Sequence, residues 1–167
     1  AAQEQLLAMA ADSLGTPANT FSMLSDVELP MPMVPDEEGS RLRLSHGKYQ
    51  SLICSRKRDV REAAFRGMMK AYGDFGGTMS ALYGGSVKRH VFEARARHYD
   101  SALASALEPD QVSVSVYDNL LSEVDAALPT LNRYLAIRKR LLNLDELHLY
   151  DLYVPMIGDV DFPVSYE

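Results

Sequence analysis

A chain of 167 residues, 47% apolar and 24% charged, has the length of about one domain and the composition of an ordinary globular protein, which excludes a disordered or fibrous polypeptide. No stretch approaches the roughly 20 apolar residues that cross a bilayer, and no basic region followed by an apolar run opens the sequence, so neither a membrane partner nor secretion is expected, and a cytoplasmic location is. Net charge is -6, but it is segregated: residues 1–40 carry seven acids and no Lys or Arg, residues 41–98 carry 13 bases against four acids, and residues 99–167 carry four bases against 12 acids, which gives -7, +9 and -8.

This pattern reads as basic helices lying against acidic ones inside one structure, or against a missing part of it. The flanks more than cancel the bases of Arg56-Lys57-Arg58 and Lys88-Arg89-His90, and no zinc-finger or RNA-binding aromatic motif accompanies them, so no nucleic-acid partner is expected. The single cysteine, Cys54, is read as a small buried hydrophobe in a reducing compartment. The chain opens on Ala1 rather than methionine and closes on Tyr166-Glu167, which reads as a piece of a longer protein.

In chain order, Leu6, Leu7, Ala10, Ala11 and Leu14 predict a helix over residues 3–14, with Gly15 and Pro17 as its stop. Pro30, Pro32 and Pro35 exclude a helix and lead through Asp36-Glu37-Glu38-Gly39 to Arg41-Leu42-Arg43-Leu44, a β-hairpin spanning residues 31–44. A short helix is predicted from His46 to Ile53. Val60, Ala64, Met68, Tyr72, Phe75, Met79 and Leu82 or Tyr83 then recur at steps of three and four, one apolar face of a long helix. Six glycines within or beside it (Gly67, Gly73, Gly76, Gly77, Gly84, Gly85) call either for close approach by a neighbouring helix or for a break near Gly84-Gly85.

Val87, Val91, Ala94 and His98 continue a helical stripe to Tyr99, and Ser101 to Leu107 predicts a short helix ended by Pro109. Val116, Leu120, Val124, Leu128, Leu131, Leu135 and Leu142 share one face of a last long segment, N-capped by Ser113. Pro129 within it predicts a kink or two helices. Leu149 to Met156, rich in β-branched and aromatic residues, fits a C-terminal strand. The fold class is mainly α: a single section, residues 1–167, of long antiparallel helices with a small hairpin.

The chemistry-bearing residues assemble no site. A helical zinc hydrolase needs two histidines one turn apart with a glutamate beside the first. His46, His90, His98 and His148 include no HExxH, and the eight-residue gap from His90 to His98 spans about 12 Å, too wide for one ion. Ser45-His46-Gly47-Lys48 spells SxxK and Asp74-Phe75-Gly76 spells the kinase DFG, but both lack their partner motifs. Gly84-Gly85-Ser86 lacks the P-loop spacing. Asp36-Glu37-Glu38 is a turn, and Asp118, Glu123 and Asp125 lie off the apolar stripe. No catalytic and no metal-binding residue is assigned, and substrate-binding residues are unknown.

The succession of segments carries more. Asn19-Thr20-Phe21-Ser22-Met23-Leu24, the Pro-rich hairpin and Leu44-Ser45-His46-Gly47-Lys48-Tyr49 resemble the oligoendopeptidase F family of thimet-oligopeptidase-like zinc peptidases. So do Ser55-Arg56-Lys57-Arg58-Asp59-Val60-Arg61-Glu62, Ala96-Arg97-His98-Tyr99-Asp100, Leu131-Asn132-Arg133-Tyr134-Leu135, Tyr150-Asp151-Leu152-Tyr153-Val154-Pro155, and the closing Phe162-Pro163-Val164-Ser165-Tyr166-Glu167. The resemblance implies a cytoplasmic metallopeptidase that cuts short peptides in a channel between helical lobes, with a zinc ion held by an HExxH and a later glutamate. Those ligands lie downstream in the family, so it implies zinc in the full-length parent and none in this section.

The section would then build the lobe and wall the channel, with the remaining catalytic lobe as its partner, and would self-associate through apolar surface that the lobe covers. The alternative is a free-standing helical interaction module whose residues 41–98 receive an acidic partner.

Overall fold

Six α-helices and one two-stranded sheet form among residues 2–158, which the computed structural model describes. They fall into two units: residues 1–30 with 71–126, and residues 31–70 with 127–167.

In the first unit, α1 (Ala2–Met23) runs through Gly15 and Pro17 instead of stopping there. A proline in a helix interior removes one backbone donor and crowds the preceding turn, so the continuation needs a tertiary cause. It is supplied by Gly85 of α4 (Gly76–Ala96), where an added Cβ would lie 2.8 Å from the Pro17 Cγ. Glycine lets the ring sit directly on the facing backbone. At the other end Arg97 Nη2 pairs with Glu4 Oε2 at 3.2 Å, so α1 and α4 run antiparallel. Past Met23 the chain widens into a π-helical turn, Leu24–Glu28, which buries Leu24 and Ser25 and sets the Ser25 hydroxyl 2.9 Å from that of Tyr72.

The apolar pattern from Val60 to Tyr83 is two helices, not one. The chain leaves α3 (Arg58–Gly73) at Asp74-Phe75 and re-enters a helix at Gly76. The break therefore falls at Gly73, while Gly84-Gly85 lies inside α4. α5 (Ala102–Leu107) is N-capped by Ser101, whose hydroxyl accepts from the Ala104 N–H at 3.0 Å, and Pro109 sits in the 3-10 turn that ends it.

The second unit starts with the hairpin, β1 (Met33–Pro35) antiparallel to β2 (Arg41–Arg43), with Val34 opposite Leu42. Its turn is made by Asp36, whose Oδ1 accepts from Glu38 N at 3.1 Å and Ser40 N at 2.8 Å, with Gly39 at φ +84°. α2 (His46–Leu52) follows. The core of the unit joins Val34, Leu44, Leu52, Ile53, Val60, Ala64 and Met68, all buried. Gly67 of α3 lets the hairpin settle on the helix: a Cβ there would meet Pro32 at 3.1 Å and Val34 at 3.2 Å.

α6 (Val114–Leu141) is one helix through Pro129, so two separate helices do not form. Its apolar face is not core: every side chain from Val112 to Tyr134 is exposed, with Val116 and Leu120 at 58% and Val124 at 52%. Cys54 is exposed, not buried. It sits in the turn closing α2, and its neighbour Ser55 takes the buried position. The segment from Leu149 is no strand but a 3-10 turn, Leu149–Asp151. Its carbonyls are claimed by arginine side chains, which leaves no ladder for a β partner. Residues 159–167, with Phe162 to Glu167, lie outside the described residues.

The two helix-on-backbone contacts generate a contrast. Gly85→Ala should destabilise the chain by about 1–3 kcal/mol, because the Pro17 ring cannot swing aside. Gly84→Ala, where nothing lies within 4 Å of the new Cβ, should be neutral or stabilise by roughly 0.5–1 kcal/mol. Urea unfolding of the two variants checks this.

Candidate functional site

The densest constellation of charged groups lies in the second unit, where α3, the end of α6 and the 3-10 turn meet. Asp151 is fully buried, as are Arg61 and Arg138. An unpaired carboxylate there would cost several kcal/mol, so its partners decide whether the turn can exist.

Arg61 Nη2 donates to Asp151 Oδ1 at 2.7 Å, Arg58 Nη2 to Oδ2 at 2.9 Å, and the His148 backbone N–H to Oδ2 at 3.0 Å. Arg58 Nε adds a bond to Oδ1 at 3.2 Å. Arg58 and Arg61 are three apart on α3, so both forks leave the same helix face. Other arginine donors reach backbone carbonyls, while Arg138 Nη1 donates to the Tyr134 hydroxyl at 3.2 Å. Arg61 reaches those of Tyr150 (3.1 Å), Ser55 (2.8 Å) and Arg56 (3.2 Å). Arg138 reaches those of Asp151 (2.8 Å) and Val154. Among the described residues no buried side-chain nitrogen or oxygen is left without a partner.

Aromatic rings close the cluster. Tyr150 stacks on His148 with centroids 4.9 Å apart, tilts against Phe65 at 6.0 Å, and carries the Arg58 guanidinium 5.4 Å from its centroid. Burial pushes the Asp151 carboxyl up, but the hydrogen bonds from Arg58, Arg61 and the His148 backbone outweigh it and lower the group from 3.8 to about 2. Asp151 therefore stays charged at neutral pH. A carboxylate that only accepts, held by guanidiniums that only donate, is a clasp rather than a general base.

The candidates weighed in the sequence have structural roles. In Ser45-His46-Gly47-Lys48 the Ser45 hydroxyl accepts from Lys48 N as the N-cap of α2. Asp74-Phe75-Gly76 is the α3–α4 junction and Gly84-Gly85-Ser86 is helix interior. His46, His90 and His98 are exposed, and His98 is in the left-handed region at φ 60°. Asp118, Glu123 and Asp125 are exposed on α6. Among the described residues no three His, Cys, Asp or Glu side chains come together as a metal site, so they do not fit a zinc ion and no chemical step is derived through one. The clasp itself was missed by motif search, because Arg58, Arg61, Arg138 and Asp151 share no local spacing across the 93 residues that part Arg58 from Asp151.

The second unit is thus mainly α-helical, stapled by a buried arginine–carboxylate clasp, with no metal-ligand set among the described residues. The sequence pattern of peptidase family M3 matches residues 51–157, a stretch that contains the whole clasp, and the chain belongs to that family. Its resemblance to oligoendopeptidase F holds as well. The chain is 41% identical over 165 residues to oligopeptidase PepF of Bacillus subtilis, covering 99% of this chain and 25% of that one. It is 35% identical to the group B oligopeptidase PepB of Streptococcus agalactiae, covering 99% and 27%. Oligoendopeptidase-F from Enterococcus faecium superposes with a TM-score of 0.91 at 42% identity, covering 93% of this chain and 31% of that one. The chain thus spans about a quarter of the length of the curated relatives it matches. Peptidases of the family are zinc-dependent in general.

The clasp predicts an acid response. Because the Asp151 carboxyl in the folded chain is held below its ordinary value of 3.8, the stabilisation is complete above about pH 4 and is lost as pH falls through about 2, in total roughly 2 kcal/mol. Asp151→Asn should cost about 3–5 kcal/mol at neutral pH, since it takes the carboxylate from the buried Arg61 guanidinium and from the partly exposed Arg58. It should also flatten the stability slope between pH 4 and pH 2, which urea midpoints measured across that range check.

Proposed function

We propose that this chain is a structural, non-catalytic section of a zinc-dependent oligopeptidase that hydrolyses short peptides in an enclosed, cytoplasmic channel. The observation that carries the reading is the exposed apolar face of α6 in a chain that spans about a quarter of its relatives' length. A helix apolar along Val116, Leu120, Val124, Leu128 and Leu131 is one that a larger protein buries. In this reading α6 is covered by the remaining catalytic lobe, which supplies the zinc ligands, and the helices of this section wall the channel. Expressed as it stands, the chain self-associates through that face.

No helix among the described residues is long and apolar enough to cross a membrane, and neither a membrane nor a nucleic acid is among the proposed partners. Bases of the 41–98 stretch are engaged by the chain's own acids, Arg97 by Glu4 and Arg58 and Arg61 by Asp151, which leaves less of that stretch for an acidic partner protein.

Elemental mass spectrometry and a quenched fluorescent peptide test the reading directly. The purified chain should hold no stoichiometric zinc and show no chelator-sensitive cleavage; finding both would overturn the proposal. The α6 face gives a second test. Leu120→Glu with Leu128→Glu should cost under about 1 kcal/mol in this chain, where both positions are exposed. In a polypeptide of the relatives' length the same pair should cost about 4 kcal/mol or more, by burying two carboxylates. Equal costs in the two contexts would contradict the burial of α6.

A further inference from the structure

Around the clasp, one group is neither permanently charged nor permanently neutral. Arg58 Nη2 lies 3.0 Å from His148 Nδ1; a guanidinium can only donate, so a hydrogen bond here uses the Nδ1 lone pair and leaves the ring proton on Nε2. The same Arg58 nitrogen also serves Asp151 Oδ2 at 2.9 Å and the Glu146 carbonyl at 2.9 Å. Three acceptors from one 3-10 turn and its approach therefore converge on one nitrogen. We infer that His148 is a proton-sensitive latch: neutral, it helps Arg58 hold the segment 146–154 on α3; protonated, it opposes Arg58 and loosens that hold.

The groups facing the ring come from every element around it. From α3 there is Arg58, with Arg61 one fork further in on the same carboxylate. From the segment itself, Asp151 Oδ2 lies 4.0 Å from Nδ1, Glu146 Oε2 lies 3.9 Å from Nε2, and Tyr150 covers one ring face. From α6, Arg138 holds the far side of the same turn through the Asp151 carbonyl. Protonation at Nδ1 turns the acceptor into a donor aimed at a guanidinium. Asp151 Oδ2, 4.0 Å from Nδ1, already accepts from Arg58 and the His148 backbone, so an imidazolium would compete with Arg58 for it. Glu146 is exposed and offers little compensation. Asp151 keeps its charge between about pH 5 and pH 8, and imidazole is the kind of side chain whose unperturbed charge change falls in that range.

Hydrogen exchange followed residue by residue in the intact chain tests this. Between about pH 7.5 and pH 5.5, corrected for intrinsic exchange, the protected amides of residues 149–154 should open about tenfold more often in the native protein, the loss of one charge-assisted hydrogen bond. They should show no such change in His148→Gln, whose amide oxygen accepts at both pH values. Equal responses in the two proteins overturn the latch. If His148→Gln does not fold, ring-nitrogen chemical shifts of the native chain near pH 7.5 decide it: an unprotonated Nδ1 with a protonated Nε2 supports the latch, and the opposite tautomer overturns it.

Discussion

A single buried carboxylate sets the terms for the second unit. Asp151 has no contact with water, and a charge so placed is tolerated only where donors surround it. Those donors come from α3 through Arg58 and Arg61, while Arg138 of α6 takes the carbonyl of the same residue. One turn of chain thereby fixes the approach of two helices that are far apart in sequence. The arginines also explain why the segment after Leu149 is no strand, since its carbonyls are spent on guanidiniums.

The first unit is held differently. Its constraint is steric: the Pro17 ring against Gly85 sets the approach of α1 to α4, and Arg97 with Glu4 fixes the end of the pair in water. Buried and exposed ion pairs are not equivalent here. Arg97 and Glu4 are both well exposed and contribute little, whereas losing Asp151 would strand buried charge. Both kinds place a base of the middle stretch against an acid of a flank.

Local signals were legible in the sequence. The hairpin was readable from its prolines and its acidic, glycine-ended turn, the short helix from Ser101 to Leu107 from its stop at Pro109, and the apolar face of α3 from its period. Signals that depend on distant residues were not. Pro17 reads as a stop until Gly85 is placed opposite it, and Tyr150 to Val154 reads as a strand until the arginines claim its carbonyls. The period of α6 correctly gave a helix with one apolar face, but periodicity cannot say what covers that face. The family resemblance came from the order of segments rather than from any site. Ser45 caps a helix, Asp36 makes a turn and Asp151 anchors the clasp, and no HExxH occurs in the 167 residues.

The account rests on Asp151 and its arginines acting as one unit, and a double-mutant cycle between Arg61→Ala and Asp151→Ala measures that most directly. Each single change should cost about 3–5 kcal/mol, and the double change clearly less than their sum, with a coupling of at least about 2 kcal/mol, because the second removal relieves the charge stranded by the first. Additive losses would show that Arg61 and Asp151 stabilise the chain independently, and the clasp would not be what holds the second unit together.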